Sequence, residues 1–173
     1  MHSSPLHTYD YLTRVRQRVF DGVRPLAPSD YTRTFPIGLG SLARTLTHIM
    51  TSEWYYLQRM LGREVPPDDQ WPIREDAPPP FAILESAWGE QARSTRAALS
   101  AVRDWDAPIE YRVTPDDGRP VIVTCTGAGL FTQLAFHEVH HRAQALNMLR
   151  HLGATIEGDL DFNAMMFSRR PAT

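Results

Sequence analysis

Apolar residues recur at alternating steps of three and four along four stretches of the chain, a period that predicts four long helices. The first stretch runs from about Tyr9 to Val23, and its apolar stripe consists of Leu12, Val15, Val19 and Val23. The second runs from about Ser41, a residue suited to the N-cap position, to Leu61, which precedes Gly62. The third runs from about Phe81 to Arg103, and the fourth from about Gly129 to Leu152.

Between the third and fourth helices the pattern changes to β-branched and aromatic residues. Residues 109–113 and 121–124 have this character, and Pro115-Asp116-Asp117-Gly118 lies between them, which predicts a short β-hairpin. Residues 65–80 are rich in proline and acidic residues and predict a loop that crosses one end of the fold. A short apolar patch that begins at Phe162 predicts one further helical turn. We therefore expect an all-α protein, a four-helix bundle with a small β-hairpin insertion between helices 3 and 4.

Composition narrows the class of protein further. The chain has 173 residues, which predicts one domain over residues 1–173, and its formal net charge is −2. All of its basic residues are arginines, and they are scattered, so neither a nucleic-acid partner nor a membrane partner is expected. No run of about 18 apolar residues and no signal-peptide pattern is present. The single cysteine, Cys125, excludes an internal disulfide and fits a cytoplasmic protein, in which it is expected to be a small core residue.

The candidate chemistry lies in the middle of the fourth helix. His137 and His141 are four residues apart, so both imidazoles lie on one helical face and can bind one ion such as zinc. Both also fall in phase with the apolar residues Leu130, Leu134 and Met148, which predicts that they lie in the bundle core. Two buried polar rings cost several kcal/mol together unless they are partnered, and a metal ion partners both. The alternative is a pair of core histidines hydrogen-bonded to other side chains.

A third ligand can come from the second helix. His48 lies at the border of its buried stripe, and its helical neighbours Thr45, Thr51 and Ser52 are small enough to leave room for a pocket. On its own it is equally a satisfied histidine at the edge of the core. Opposite the fourth-helix pair it completes a three-histidine site. His140 shares a stripe with polar residues and is expected nearer the surface.

These residues, taken in order, resemble the DinB/YfiT-like superfamily of four-helix-bundle proteins. The matching elements are His48 followed by Glu53-Trp54 in the second helix, and His137-x-x-x-His141-Arg142-Ala143-Gln144 in the fourth. Ala143 stands where these proteins usually have glycine.

The resemblance implies that His48, His137 and His141 bind a divalent metal ion, zinc first, with nickel, manganese and iron as alternatives. It implies a structural role for Arg142 and Gln144. Glu53 is a candidate acceptor for the second ring nitrogen of a ligating histidine, with a salt-bridging or solvated carboxylate as the alternative.

The same residues of the fourth helix allow a different interpretation. His137-Glu138-x-x-His141 matches the HExxH motif of zinc peptidases, in which Glu138 would be the general base and Glu157 a downstream third ligand. Glu138 and Glu53 are therefore the candidate catalytic residues. Two features count against a peptidase: the predicted fold lacks a substrate-aligning sheet, and Glu157 follows Gly153 in a turn-like segment.

Three protein ligands leave one coordination position open, which is the arrangement of catalytic rather than structural zinc. The resemblance implies a thiol-dependent transferase or isomerase that uses bacillithiol, mycothiol or glutathione, or else a metal-dependent hydrolase. We expect a metal-dependent enzyme that acts on a small-molecule substrate, a thiol S-transferase first, with a low-molecular-weight thiol as cosubstrate. The alternative from another class is a non-catalytic metal-binding or interaction module.

The fourth helix carries a second apolar stripe: Phe136, Val139, Ala143 and Leu146. A helix that is apolar on two sides either lies at the centre of a fold or forms a subunit interface, so we expect a homodimer.

Overall fold

The computed structural model describes residues 4–114 and 117–170. In chain order the elements are α1 (Pro5–Val23), α2 (Pro28–Tyr31), α3 (Leu42–Met60), α4 (Phe81–Ala101), β1 (Pro108–Val113), β2 (Val121–Thr126), α5 (Gly127–His151) and α6 (Phe162–Met166). The long helices α1, α3, α4 and α5 form the bundle, and the hairpin lies between its third and fourth helices. The predicted fold class is confirmed.

Three of the four long helices, α1, α3 and α5, begin where a side chain accepts a free N–H group of the first turn, whereas α4 begins after Pro80 without such a cap. Ser41 caps α3 as predicted, because its hydroxyl accepts the N–H of Arg44. Helix α1 begins a turn earlier than its apolar stripe suggests, since Ser4 accepts the N–H of His7 and Pro5 fits the first helical position. Helix α5 begins at Gly127, because Thr126 forms its N-cap.

The connections hold two short elements that hydrophobic periodicity does not reveal. Helix α2 is a single turn that starts at Pro28, where the sequence indicated only the end of α1. The proline-rich segment contains a 3₁₀ turn at Asp68–Gln70. Both turns are too short to show a repeat of three and four, which explains why the sequence pattern missed them.

The hairpin pairs β1 and β2 in antiparallel register, with Tyr111 opposite Val123 and Ile109 opposite Cys125. The Cys125 thiol is half-buried and free, and burial raises its pKa. Of the predicted turn between the strands, Pro115 and Asp116 lie outside the described residues.

The contacts between the four helices form a closed ring: α3 packs on α4 and α5, and α1 packs on the same two helices from the opposite side. Two apolar clusters fill the bundle. One contains Phe20, Leu46 and Trp88, and the other contains Tyr9 and Phe131. Within the described part of the chain, no helix is long and apolar enough to cross a membrane.

A buried polar network connects the four bundle helices. Arg16 of α1 donates to Glu53 of α3 at 2.7 Å and, through Nε and Nη2, to both carboxylate oxygens of Glu138 of α5 at 3.2 and 2.7 Å. Glu53 also accepts hydrogen bonds from Tyr9 of α1 and from two α4 residues, Trp88 and Thr95. Burial by itself would lower the pKa of Arg16, but the charges of Glu138 and Glu53 outweigh it and raise that pKa. The network therefore fixes α3 and α5 relative to each other through a permanently charged guanidinium.

Candidate metal centre

Three imidazoles meet between α3 and α5. His48 projects from α3, and His137 and His141 project from successive turns of α5. One nitrogen from each ring lies within 4.8 Å of the other two, and the ring centroids are 4.5 to 4.7 Å apart. Two nitrogens bound to one tetrahedral zinc ion lie about 3.3 Å apart, so small ring rotations bring this cluster to coordinating distance.

Two of the rings are oriented by hydrogen bonds on their outer nitrogens. His48 Nδ1 is 2.7 Å from a carboxylate oxygen of Glu75, and the Thr51 hydroxyl donates to the same oxygen at 2.8 Å. His141 Nδ1 is 2.9 Å from the side-chain oxygen of Gln144. Because both partners are acceptors, each Nδ1 carries the proton, and Nε2 of His48 and of His141 is left with a free lone pair.

These lone pairs are the reason why the cluster suits a cation. His48 Nε2 and His137 Nε2 are 3.0 Å apart. A proton on His137 would satisfy this pair as a hydrogen bond, but it would leave the lone pair of His141 without a donor among the described residues. One divalent ion satisfies all three nitrogens at once. A histidine ligand whose other nitrogen donates to a carboxylate or an amide oxygen is the usual arrangement at metal sites.

The protonation states agree with this arrangement. Burial, followed by the neighbouring His48 and His141, lowers the pKa of His137 to about 4. Burial also lowers the pKa of His141. Burial alone would raise the pKa of Glu75, but hydrogen bonds from His48 and Thr51 outweigh it and lower that pKa. At neutral pH His137 and His141 therefore offer uncharged imidazoles, and Glu75 offers an anionic carboxylate, which suits the binding of a divalent ion.

The Gln144 side chain lies against Gly38, in the connection that precedes α3. Gly38 has φ +47°, and a Cβ at this position would lie 2.1 Å from the Gln144 side-chain oxygen. The same amide donates from its nitrogen to His140 Nε2 at 3.1 Å. His140 is exposed, as expected, and Gln144 links it to the cluster through His141. A side chain at residue 38 would thus displace the amide that orients His141.

The histidines are half-buried at the edge of the bundle, so the prediction that they lie in its core is wrong. Leu130, Leu134 and Met148 are buried as predicted, but in the middle of α5 the buried positions are shifted by one residue, to Glu138, Arg142 and Ala145. Glu138 and Arg142 are charged, and pattern reasoning assigns charged residues to the surface. Arg16 pairs with Glu138, and Arg142 donates from Nη2 to Tyr11 at 3.0 Å, while its Nη1 is buried without a partner among the described residues.

The structure does not bring the two candidate catalytic carboxylates to the cluster. Glu53 is 2% exposed, and its hydrogen bonds go to the buried network, so the salt-bridge alternative describes its contacts. The acceptor beside His48 is Glu75, which comes from the proline-rich segment. Sequence analysis did not identify Glu75, because it lies in a loop and has no regular sequence spacing from the histidines of the helices.

The peptidase interpretation receives no geometric support. A general base needs a carboxylate free to take a proton from water, but Glu138 is 2% exposed and paired with Arg16 through both oxygens. Glu157 is exposed and lies beyond the end of α5, and it is not part of the three-histidine group.

A helical bundle in which two helices present three converging imidazoles has a group of side chains that could hold a metal ion. Comparison with protein-family models matches the DinB family over residues 1–169. The chain therefore belongs to the DinB family. A search of curated proteins finds no match.

Proposed function

We propose that His48, His137 and His141 bind one divalent metal ion, zinc by preference, and that the protein is a metal-dependent thiol S-transferase. The observation that carries the proposal is the convergence of three imidazoles, two of which already have their outer nitrogens engaged by acceptors. Three protein ligands leave a coordination position for a small molecule, as at catalytic zinc sites. Imidazole also binds nickel and iron, and manganese remains a further alternative.

The reaction is a substitution at an electrophilic carbon. The thiol loses its S–H proton to water, its sulfur forms a bond to the carbon, and the leaving group departs with the electron pair of the broken bond. The bound cation supplies charge that favours the thiolate over the thiol.

The chain's own residues orient the site for this chemistry. The Glu75 carboxylate holds the Nδ1 proton of His48 and keeps Nε2 directed at His137. Gln144 does the same for His141. The Tyr56 ring packs edge-on to His137 at 6.0 Å, and the Ser52 hydroxyl lies 3.5 Å from His137 Nε2. These two α3 side chains border the cluster and restrict how a substrate approaches it.

Metal binding is tested with a matched pair of histidine variants. His141→Ala removes a proposed ligand, whereas His140→Ala removes an adjacent exposed imidazole. After incubation with zinc and desalting, we expect elemental analysis to give one zinc per chain for the wild type and for His140→Ala, and much less for His141→Ala. Equal zinc in the two variants would contradict the proposed ligand set.

Turnover is tested by following thiol consumption with a model aryl halide. Zinc-loaded protein is compared with chelated protein and with His141→Ala, and glutathione, bacillithiol and mycothiol are each supplied in turn. Zinc-dependent consumption of one thiol supports the transferase. Zinc-dependent ester hydrolysis without thiol consumption favours a small-molecule hydrolase. Full zinc occupancy without either activity favours the non-catalytic metal-binding module.

We also propose that the protein is a homodimer that associates through the outer face of α5. Phe136 is 70% exposed and Val139 41% exposed, and both lie in one apolar stripe with Ala143. Sedimentation of wild type and Phe136→Ser tests this proposal. We expect a dimer for the wild type and a monomer for the variant, and a monomeric wild type would contradict it.

A further inference from the structure

A second concave surface lies along the C-terminal half of α3. It is a groove of about 680 Å³ bounded by α3, the proline-rich segment and strand β1. The residues that give it chemical character are Tyr55, Arg59, Trp71, Tyr111 and Arg112, and we refer to it as the tyrosine–arginine groove. Neither the histidine cluster nor the buried network contributes a residue to it.

Arg59 is the best-fixed charge in this groove. Its guanidinium lies 4.9 Å from the centre of the Tyr55 ring and 4.8 Å from the centre of the Tyr111 ring. Nη2 donates to the backbone oxygen of Arg112 at 3.3 Å. Contact with two aromatic rings and one carbonyl group holds the planar group in place before any ligand arrives, so little side-chain entropy remains to be lost on binding.

Positive charge is in excess in this groove. Three arginines line it, Arg59, Arg63 and Arg112, against two carboxylates, Glu64 and Glu110. Among the described residues, no carboxylate forms an ion pair with any of these arginines. Arg59 Nε is buried without a hydrogen-bond partner in the described part of the chain. A guanidinium offers five N–H donors in a fork that matches a carboxylate, and Arg59 uses one of them.

The groove also has flat apolar walls. The Trp71 ring packs against Tyr55 at 6.0 Å and against Trp54 at 5.3 Å. Its indole N–H donates to the Pro66 carbonyl at 2.9 Å, which fixes the proline-rich segment in a closed turn. A ligand with an apolar or aromatic part next to its charge would therefore cover both kinds of surface.

The groove is aligned with the histidine cluster. Arg59 follows His48 by 11 residues on α3, a distance of about 16 Å along the helix axis. Ser52, Tyr56 and Arg59 continue from His48 at steps of four, four and three, so they lie along one side of the helix. The rings of Tyr55 and Tyr56 are in contact at 5.6 Å, and Tyr56 reaches His137. Aromatic contacts thus run from the cluster toward the groove.

We propose that the tyrosine–arginine groove binds the carboxylate end of a small organic molecule, with Arg59 as the anion-binding residue and Tyr55 and Trp71 as its apolar walls. As a statement about the substrate of the enzyme, this inference rests on the proposed function: the reacting atom would lie at the cluster and the carboxylate about three helical turns away, so the substrate would have to be an extended molecule. As a statement about anion binding, it stands independently of any metal.

The test measures binding to chelated, metal-free protein by isothermal titration calorimetry. The probe is 3-phenylpropionate, and its neutral isostere 3-phenylpropanamide controls for the carboxylate. Arg59→Gln removes the fixed guanidinium, and Arg103→Gln removes an exposed arginine outside the groove. We expect the amide and the Arg59→Gln variant each to weaken binding by about tenfold or more, whereas Arg103→Gln binds like the wild type.

Two further measurements keep the test decisive. Arg112→Gln leaves the Arg59 guanidinium in place, so it should retain most of the affinity. If circular dichroism shows that Arg59→Gln does not fold, the comparison of the acid with the amide on wild-type protein still tests the proposal. Inorganic phosphate at the same concentration shows whether charge alone is sufficient, and it should bind more weakly than 3-phenylpropionate. Equal binding of the acid and the amide, or equal binding of phosphate, would overturn the proposal. Because no metal is present, these outcomes are separate from failure of the transferase assay.

Discussion

The two polar clusters that connect α3 and α5 differ in how completely their atoms are paired. In the buried network, Glu53 and Glu138 accept hydrogen bonds from Arg16, and none of the three is left with a buried unpaired side-chain atom. In the histidine cluster, acceptors engage the outer nitrogens of His48 and His141. The inner nitrogen of His48 meets only His137 Nε2, and that of His141 has no hydrogen-bond donor from the described residues. One cluster is closed and the other is open on the side that faces inward.

The two clusters therefore suit different roles, although they lie within a few turns of the same two helices: the buried network suits a structural role and the histidine cluster suits ligand binding. A closed buried network aligns helices and has no capacity for a further ligand. An open cluster is stable only if a ligand completes it, or if the site remains partly hydrated. The half-buried position of the histidines allows the site to be partly hydrated, and it also allows a ligand to reach them.

The largest expected effect comes from opening the closed network. Arg16→Met leaves the carboxylates of Glu53 and Glu138 buried without their cation, and we expect a loss of about 3–5 kcal/mol in the free energy of unfolding. Urea denaturation measures it. Arg18→Met, at an exposed α1 position, should change stability by less than about 0.5 kcal/mol. Similar values for the two variants would mean that the network does not stabilise the bundle.

Completing the open cluster should stabilise the protein by a smaller amount. Zinc at about 100 times its dissociation constant is expected to add about 2.7 kcal/mol to the free energy of unfolding. Denaturation with and without zinc measures this gain, which should disappear in His48→Ala and persist in His140→Ala. A zinc-dependent gain in His48→Ala would show that the ion binds elsewhere.

Removing the acceptor behind His48 should weaken the site without abolishing it. Glu75→Gln eliminates the charge that orients the ring, and we expect zinc affinity to fall about 10- to 100-fold. Competition with a chromophoric chelator measures the affinity. Asp76→Asn is the matched control, because its exposed carboxylate pairs with Arg74 and not with a histidine. The carboxylate at residue 75 has no role at the site if both variants bind zinc equally.

The smallest expected effect is the pH dependence of the metal-free protein. His137 has a folded-state pKa of about 4, below its ordinary value of 6.5, so the unfolded chain takes up the proton first. Its contribution to stability is therefore present above pH 6.5 and is lost as the pH falls toward 4. Unfolding of chelated protein across this range should depend less on pH in His137→Ala than in the wild type. An unchanged slope would refute the assignment.

Much of the fold follows from hydrophobic periodicity. The four long helices, the Ser41 cap and the hairpin were all predictable, since each depends on residues close together in the chain. The phase of α5 was not, because two of its buried residues are charged and become tolerable only through partners on α1. One signal was available: Arg16 lies four residues after Leu12 and four before Phe20, in phase with a buried stripe.

The site was predictable to the same extent. The spacing of His137 and His141, with His48 on another helix, was sufficient to bring together the three residues that the structure joins. Glu75 was not predictable, because it reaches His48 from an irregular segment whose path no period describes. The contact between Gly38 and Gln144 is likewise set by loop geometry.

The closed network around Arg16 has a consequence for how such a chain can evolve. Since the buried network by itself joins α3 to α5, we expect substitutions among the histidines to be tolerated without loss of the folded state. A lineage could exchange its metal, or abandon catalysis altogether, and still retain the bundle. By contrast, the three residues of the buried network should change only together: Arg16, Glu53 and Glu138. Among related chains, we therefore expect this set to be retained more consistently than the histidines of the cluster.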